Sequence, residues 1–144
     1  MILSYKKKFP FNNQPTDFEY KIKAGIKKHS IRDDNHDRWQ PGMKIHHAHG
    51  ARTKYYHQFA EGICVSTQTI MISFIYQGMY DSTPEYSFDI NGQRYAVFID
   101  SRLLNHQEVR TLAYNDGFDS IEDFFLWFNK PTIKKIIHWT DLKY

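Results

Sequence analysis

The chain has 144 residues, the length of one domain, with 41% hydrophobic and 24% charged residues, which is ordinary for a soluble globular protein. A formal net charge of +3 permits nucleic-acid binding without requiring it, and a single cysteine excludes an intrachain disulfide framework. The chain shows neither the apolar run of a signal peptide nor a segment long enough to span a membrane, so we expect a cytoplasmic protein without a membrane partner.

The first third of the chain predicts a strand, a short helix and a second strand. Residues 2 to 9 form the first strand. Helical spacing of apolar residues, a capping residue at Thr16 or Asp17 and a terminating Gly25 predict a helix over residues 16–25. In the strand that follows, alternation places one set of side chains on one face, namely Lys28, Ser30 and Arg32, and the other set on the opposite face, namely His29 and Ile31.

A polar loop of alternating acids and bases follows Arg32 and ends at the turn Pro41-Gly42, after which residues 44–49 predict another strand. A hydroxyl, a lysine and an arginine at the mouth of a loop are what a site for a polar or anionic ligand needs. A solvated strand edge has the same composition. Both interpretations of this stretch stay open.

The middle of the chain predicts mainly strands. Residues 50–57 are irregular and basic, and residues 63–75 alternate before turning apolar, which predicts one long central strand. Residues 78–84 form a turn-rich link. Residues 86–97 predict a hairpin on the turn Asn91-Gly92, in which three cross-strand pairs are expected: Phe88 with Tyr95, Tyr86 with Val97, and Asp89 with Arg94.

The last third predicts two helices and a closing strand. The first helix covers residues 105–114 and is broken by Asn115-Asp116-Gly117-Phe118. Gly117 is suited to the left-handed position that ends a helix. The second helix covers residues 119–129, with its cap at Asp119 or Ser120. Residues 132–140 predict the closing strand.

Two of these motifs resemble the ASCH family of the PUA-like superfamily. They are the strand Lys27-Lys28-His29-Ser30-Ile31-Arg32 with its turn Pro41-Gly42, and the later Asp116-Gly117-Phe118. The resemblance implies an α+β fold, a PUA-like mixed β-barrel of about six strands with three short helices. It also implies a single ASCH/PUA-like domain over residues 1–144, in which the β-hairpin around residues 85–99 is an elaboration. The family is associated with RNA, and some small bacterial members are amidohydrolases of acetylated cytidine.

The resemblance implies a catalytic set of Lys27, Ser30 and Asp116, where the family's enzymes carry lysine, threonine and glutamate. Amide hydrolysis needs a nucleophile, a base and a proton donor for the leaving amine, roles that Ser30, Lys27 and Asp116 would fill. The shorter aspartate retracts the carboxylate by one methylene. Strand alternation places Lys28 rather than Lys27 on the face of Ser30, unless Lys27 precedes the strand, so both lysines stay candidates.

Basic and aromatic residues also predict a ligand-binding cleft. Cations suited to phosphates are Lys28, Arg32, Arg38, Lys44, Arg52 and Lys54, and aromatic residues suited to stacking on bases are Trp39, Tyr55 and Tyr56. The interleaved aspartates 33, 34 and 37 cancel much of this charge, which favours a small pocket over a strong non-specific binder. We therefore predict an RNA- or nucleotide-binding domain whose partner is RNA or a modified nucleoside or nucleotide. The alternatives are an amidohydrolase or a non-catalytic protein-interaction module.

The histidines 46, 47 and 49, with His36 and His57 near them in sequence, make a transition-metal site conceivable, because His47 and His49 share a strand face. No acid or cysteine stands beside them at a ligand spacing. Histidines in a half-buried strand are the commoner case, so we expect no metal and no cofactor. Cys64 lies in an apolar segment and is expected to be a buried small hydrophobe.

Overall fold

The chain folds into two open β-sheets and three helices. The structure, a computed structural model, describes residues 1–75 and 86–144. The helices are α1 (Phe18–Lys23), α2 (His106–Asn115) and α3 (Ile121–Trp127). The strands are β1 (Ile2–Tyr5), β2 (His29–Arg32), β3 (Lys44–His49), β4 (His57–Ile63), β5 (Ser66–Phe74), β6 (Phe88–Ile90), β7 (Gln93–Ile99), β8 (Arg102–Leu103) and β9 (Thr132–His138). Within these described ranges, no helix has the length and apolar character needed to cross a bilayer.

The smaller sheet has the order β1-β3-β4, with β1 parallel to β3 and β3 antiparallel to β4. The larger sheet has the order β2-β9-β5-β7-β6, with β8 added to β7, and all its pairs are antiparallel. The predicted α+β class and the three helices are confirmed. The strand count differs from about six, since nine strands are found in the described residues, where they form two open sheets and no closed barrel.

The long central strand predicted over residues 63–75 is confirmed as β5 in the middle of the large sheet, but it begins only at Ser66 because the chain changes sheets just before that residue. Strand β4 ends at Ile63 in the small sheet and β5 begins at Ser66 in the large one. Between them, the Cys64 N–H donates to the Met43 carbonyl and the Val65 N–H donates to the His138 carbonyl. Exposed and buried side chains continue to alternate from Ile63 to Ser66, where the chain passes from one sheet to the other. The sequence pattern therefore does not show where the change of sheet occurs.

The hairpin turn is confirmed. Asn91 and Gly92 both have positive φ, 51° and 79°, the backbone geometry that favours asparagine and glycine in two-residue hairpin turns. The pairs Phe88 with Tyr95 and Asp89 with Arg94 form as predicted. Tyr86 precedes the first residue of β6, so its predicted pairing with Val97 is not part of the ladder, and on that edge of β7 the Val97 carbonyl accepts the Leu104 N–H. The predicted link over residues 78–84 and the start of the hairpin elaboration at residue 85 lie outside the described residues.

Helices α2 and α3 are capped as their sequences indicate and pack on the large sheet. Asn105 and Glu108 form a reciprocal capping box at α2, and the Ser120 side chain accepts from the Asp123 N–H at α3. The Phe125 ring of α3 stacks on Tyr95 of β7 with centroids 4.6 Å apart. Seven of the 11 phenylalanines are buried, so most of these side chains serve core packing.

The candidate site lies where β2 meets the turn between α2 and α3. Strand β2 is at the edge of the large sheet and pairs only with β9. Just before it, the Lys28 N–H donates to the Asn115 carbonyl at the end of α2, with N and O 2.7 Å apart. That bond fixes the segment that carries Lys27 against the segment that carries Asp116, although 89 residues separate them in sequence.

Candidate functional site

Lys27 and Asp116 form a buried ion pair. The Lys27 Nζ lies 2.9 Å from Asp116 Oδ1 and also donates to the Asp116 carbonyl, and both residues are at most 3% exposed. Burial lowers the pKa of Lys27 to about 8, although Asp116 opposes this shift. Burial alone would raise the pKa of Asp116, but the Lys27 charge and the neighbouring His29 hold it below its ordinary value. Charged side chains are almost never fully buried unless they are paired, and buried groups with shifted pKa values mark a candidate site.

Ser30 reaches the same cavity as this ion pair. The cavity has a volume of about 20 Å³ and is lined by Lys27, Ser30, Asp116 and the neighbouring side chains of Tyr5, Phe18, Ile31, Arg32, Phe118, Trp127 and Phe128. A space of this size holds about one water molecule. Lys27 lies before the first residue of β2, so strand alternation does not govern it, and Lys28 does not line the cavity. Lys27, Ser30 and Asp116 therefore line one cavity, and of the two candidate lysines it is Lys27 that lies there.

Arg32 closes the cavity and joins the two sheets. Its Nε donates to Ser30 Oγ at 3.1 Å and its Nη2 donates to the Ser4 carbonyl of β1 at 2.9 Å. The guanidinium also lies over the Tyr5 ring, 5.1 Å from the centroid. Ser30 Oγ thus takes its hydrogen bond from Arg32, and no bond joins it to Lys27 in the described part of the chain.

A second, outer recess adjoins the inner cavity. It has a volume of about 210 Å³ and shares four lining residues with the cavity, Ile31, Arg32, Trp127 and Phe128. Asp33 and Lys134 complete its rim. The recess is below the roughly 300–1,000 Å³ of pockets that hold drug-sized ligands, so it suits a small group better than a large one.

Two residues to which sequence reasoning assigned no role, His29 and Tyr144, extend the set of polar contacts around Lys27 and Asp116. The His29 Nε2 lies 2.6 Å from the Tyr144 hydroxyl, and its Nδ1 lies 3.3 Å from Asp116 Oδ1. Asn115 Nδ2 donates to the Tyr144 hydroxyl at 3.1 Å, which ties the end of α2 to the same group. Burial lowers the pKa of His29, which keeps the ring neutral.

The sequence signal for these two residues was weak. Alternation placed His29 on the strand face opposite Ser30, which separated it from the catalytic set. Asp116 nevertheless contacts both residues: Lys27 lies in the segment before β2, and His29 is the first residue of the strand itself. Tyr144 is far from both in sequence, and nothing in its local pattern indicated a buried hydroxyl.

The other predicted ligand-binding residues line neither the cavity nor the recess. Trp39 is 5% exposed and packs in the core, so its ring presents no stacking face. Lys44 pairs with Glu61 at the start of β3, with Nζ and Oε2 3.2 Å apart. The loop after the other end of β3 carries three further predicted residues, Arg52, Lys54 and Tyr55. Six strand residues span about 20 Å, so Lys44 and this loop are at opposite ends of the sheet.

Two lysines of β9 bind the acids of the loop after β2. The Lys134 Nζ lies 2.6 Å from Asp33 Oδ1, and Lys135 pairs with Asp34 at 2.9 Å and with Asp37. Asp34 also accepts the backbone N–H groups of Arg38 and Trp39, each at 2.9 Å. Burial would raise the pKa of Asp34, but these two N–H groups and Lys135 lower it to about 2. The loop's acids thus hold it on β9, and Arg38 remains exposed.

The strand histidines serve packing and hydrogen bonding. His47 Nδ1 lies 2.8 Å from the Tyr5 hydroxyl, and His49 Nδ1 lies 3.0 Å from the Tyr5 carbonyl. Over residues 1–75 and 86–144, no three His, Cys, Asp or Glu side chains are grouped to hold a metal ion. Cys64 is fully buried as predicted, and burial raises the pKa of its thiol.

Comparisons of the chain with protein-family models, curated proteins and solved structures found no match. The resemblance to the ASCH family therefore rests on the two sequence motifs alone. Any function for this chain has to be argued from the geometry around Lys27, Ser30 and Asp116.

Proposed function

We propose that the chain is an ASCH-like domain of PUA-like type, which binds a nucleoside or an unpaired base of RNA in the recess beside β2. One observation carries the proposal. Lys27, Ser30 and Asp116 line a single cavity, and that cavity adjoins a recess walled by Trp127 and Phe128. Polar groups that converge beside a small and mainly polar recess suit a nucleoside, which needs hydrogen bonds at its base edge and its sugar.

The distribution of cations supports a small pocket rather than a long nucleic-acid groove. Lys44, Lys134 and Lys135 are each paired with carboxylates. The exposed Arg52 and Lys54 lie at one end of the small sheet, away from Lys44 at the other. A strong non-specific binder needs a continuous track of free cations for the phosphates, and these residues do not form one.

The dimensions decide how a ligand sits. The inner cavity of about 20 Å³ excludes a base, whereas the outer recess of about 210 Å³ admits part of a nucleoside. The ligand therefore lies in the recess and directs a polar edge towards Lys27 and Ser30. Deeper entry requires Arg32 to release Ser30 Oγ.

Calorimetric titration with cytidine, acetylcytidine, uridine and a short single-stranded RNA tests the proposal. We expect wild type to bind at least one of them and Arg32→Ala to weaken that binding about tenfold or more, since a hydrogen bond to a charged group contributes about 1.5–3 kcal/mol. Arg102→Ala, at an exposed arginine three strand spacings (about 14 Å) from Lys134 across the large sheet, is the matched control and should bind as wild type does. Equal effects of the two variants, or no binding by wild type, would reject the pocket and leave a protein-interaction module as the alternative.

A second candidate function, hydrolysis of an acylated nucleoside such as acetylcytidine, is supported by the pKa of Lys27. A lysine with a pKa of about 8 has a neutral amine in part of the population near neutral pH, which lets it act as a base. Ser30 Oγ would attack the acetyl carbonyl while Lys27 takes its proton. The resulting ammonium would then protonate the leaving amine, because the depressed pKa of Asp116 keeps it an acceptor rather than a donor. Water would finally release acetate from Ser30.

Release of acetate from acetylcytidine tests this second function. The rate should rise with pH through about pH 8 as Lys27 loses its proton, and Ser30→Ala should abolish it. Lys28→Met is the control, since Lys28 does not line the cavity and its loss should leave the rate unchanged. Absence of acetate at high enzyme concentration would exclude the hydrolase and leave the binding proposal standing.

A further inference from the structure

The cations and anions around the two connected cavities do not balance. Asp116 is paired with Lys27, and Asp33 is paired with Lys134. Arg32, which lines both cavities, is half-buried and has no carboxylate within ion-pair distance among the described residues. A partly desolvated guanidinium without a counter-ion is costly unless a ligand supplies the negative charge.

Arg32 is also held in a fixed orientation. Ser30 Oγ and the Ser4 carbonyl each take one of its N–H groups, and the Tyr5 ring lies beneath the guanidinium. The described residues Ser30, Ser4 and Tyr5 thus engage three of its five N–H donors. A guanidinium fixed in this way loses little entropy on binding, and its planar fork fits the oxygens of a phosphate.

Lys134 can supply a second positive charge at the rim. Its partner Asp33 has a side chain that is 68% exposed, whereas the Lys134 side chain is 20% exposed. Exposed ion pairs contribute at most about 1 kcal/mol, so an incoming anion can replace Asp33 at little cost. Arg32 and Lys134 then approach one anionic group from two sides of the recess.

We infer that the recess between Arg32 and Lys134 binds a phosphate, so that the ligand is a nucleoside monophosphate, free or as a unit of an RNA strand, rather than a free nucleoside. This inference rests on the proposed function. The volume of about 210 Å³ admits the phosphate together with part of the nucleoside, whose base edge would point towards the adjoining inner cavity without entering it. The free nucleotide and the RNA strand share the same phosphate chemistry and are separated by experiment.

The test compares calorimetric affinities of the intact protein for cytidine, its 5′- and 3′-monophosphates, and a short RNA. We expect a monophosphate to bind at least about tenfold more tightly than cytidine, because charge-assisted hydrogen bonds are roughly twice as strong as neutral ones. Tighter binding by the RNA than by either monophosphate would assign the phosphate to a strand, and the reverse would assign it to a free nucleotide. Lys134→Gln should reduce the preference for phosphate several-fold, and Arg32→Gln should abolish it.

Two controls keep the outcome clear. Arg102→Gln removes an exposed cation three strand spacings (about 14 Å) from Lys134 and should retain the full preference. Because Arg32 joins the sheets, its variant is first checked by urea unfolding. Lys134→Gln, whose ion-pair partner Asp33 is exposed, serves if Arg32→Gln does not fold. Equal affinities for cytidine and its monophosphates would overturn the phosphate inference while leaving the nucleoside pocket intact. Binding of none of these ligands would reject both.

Discussion

Among single residues, the pair of Lys27 and Asp116 has the largest energetic consequence. Moving two charges into the interior costs solvation free energy, and their mutual attraction does not always offset that cost. Apolar replacements of both partners are therefore often neutral or stabilising. Here Lys27 is among the largest fully buried side chains of the described chain.

Removing one partner of this pair should be far more damaging than removing both. Lys27→Met leaves the Asp116 carboxylate unpaired in the interior, and we expect the free energy of unfolding to fall by about 3–5 kcal/mol. The double variant Lys27→Met with Asp116→Leu should recover most of that loss. Urea unfolding of the two variants and wild type measures the difference.

An exposed ion pair provides the comparison for that experiment. Lys23 and Glu19 are one turn apart on α1, with Nζ and Oε1 2.7 Å apart and both side chains at least one-third exposed. Lys23→Ala should cost only about 0.5 kcal/mol or less, because water screens the pair. A Lys27→Met variant as stable as Lys23→Ala would contradict the assignment of a buried ion pair.

Among the elements, the turn between α2 and α3 sets the geometry of the site. Gly117 follows α2 with φ +95°, which ends the helix and leaves the Asp116 carbonyl and carboxylate facing Lys27. A Cβ at Gly117 would lie 2.9 Å from Phe18 Cε1 and 3.0 Å from Lys27 Cδ. The glycine therefore serves two needs, a left-handed backbone and the close approach of the lysine stem.

Gly117→Ala should for this reason be costlier than an alanine at an equally left-handed but open position. Gly25 has φ +74°, and a Cβ at that position would meet no atom within 4 Å, so its substitution by alanine should cost only the backbone contribution of about 1–2 kcal/mol. Gly117→Ala should lose about 1–3 kcal/mol more through overpacking and should also displace Lys27. Urea unfolding ranks the two variants, and equal losses would show that the α2–α3 turn adapts without strain.

In the whole molecule, buried neutral histidines make stability depend on pH. Burial lowers the pKa of His47 and of His138 from 6.5 to about 4. Below pH 6.5 the unfolded chain binds protons that the folded chain resists, so the stabilisation is complete above pH 6.5 and is lost as the pH falls towards 4. His47 additionally gives up its acceptor role towards the Tyr5 hydroxyl when it is protonated.

We therefore expect the urea midpoint of wild type to fall steadily between pH 6.5 and 4. His47→Gln, which still accepts a hydrogen bond but does not titrate, should show a shallower fall over this range. His36→Gln, at an exposed histidine of the loop after β2, should follow wild type. If His47→Gln and wild type lose stability in parallel, protonation of His47 is not what destabilises the fold in acid.

Much of the local structure was predictable from the sequence because local signals specify it. The strand over residues 44–49, the turn at Asn91-Gly92 and helices α2 and α3 follow from alternation, positive φ and capping residues. The division of residues 57–74 between two sheets was not predictable. An extended chain keeps its alternation when it leaves one sheet for another, so only the pairing partners reveal the break at Cys64 and Val65.

By itself, the sequence determined the charge or hydroxyl that each residue of the candidate site carries, and its two motifs indicated Lys27, Ser30 and Asp116. Only the tertiary structure decided that Lys27 rather than Lys28 enters the cavity, that His29 and Tyr144 join its network, and that Trp39 is buried. The physical reason is that contacts across 89 residues depend on how the edge strand packs against the α2–α3 turn. No periodicity within either segment records that packing.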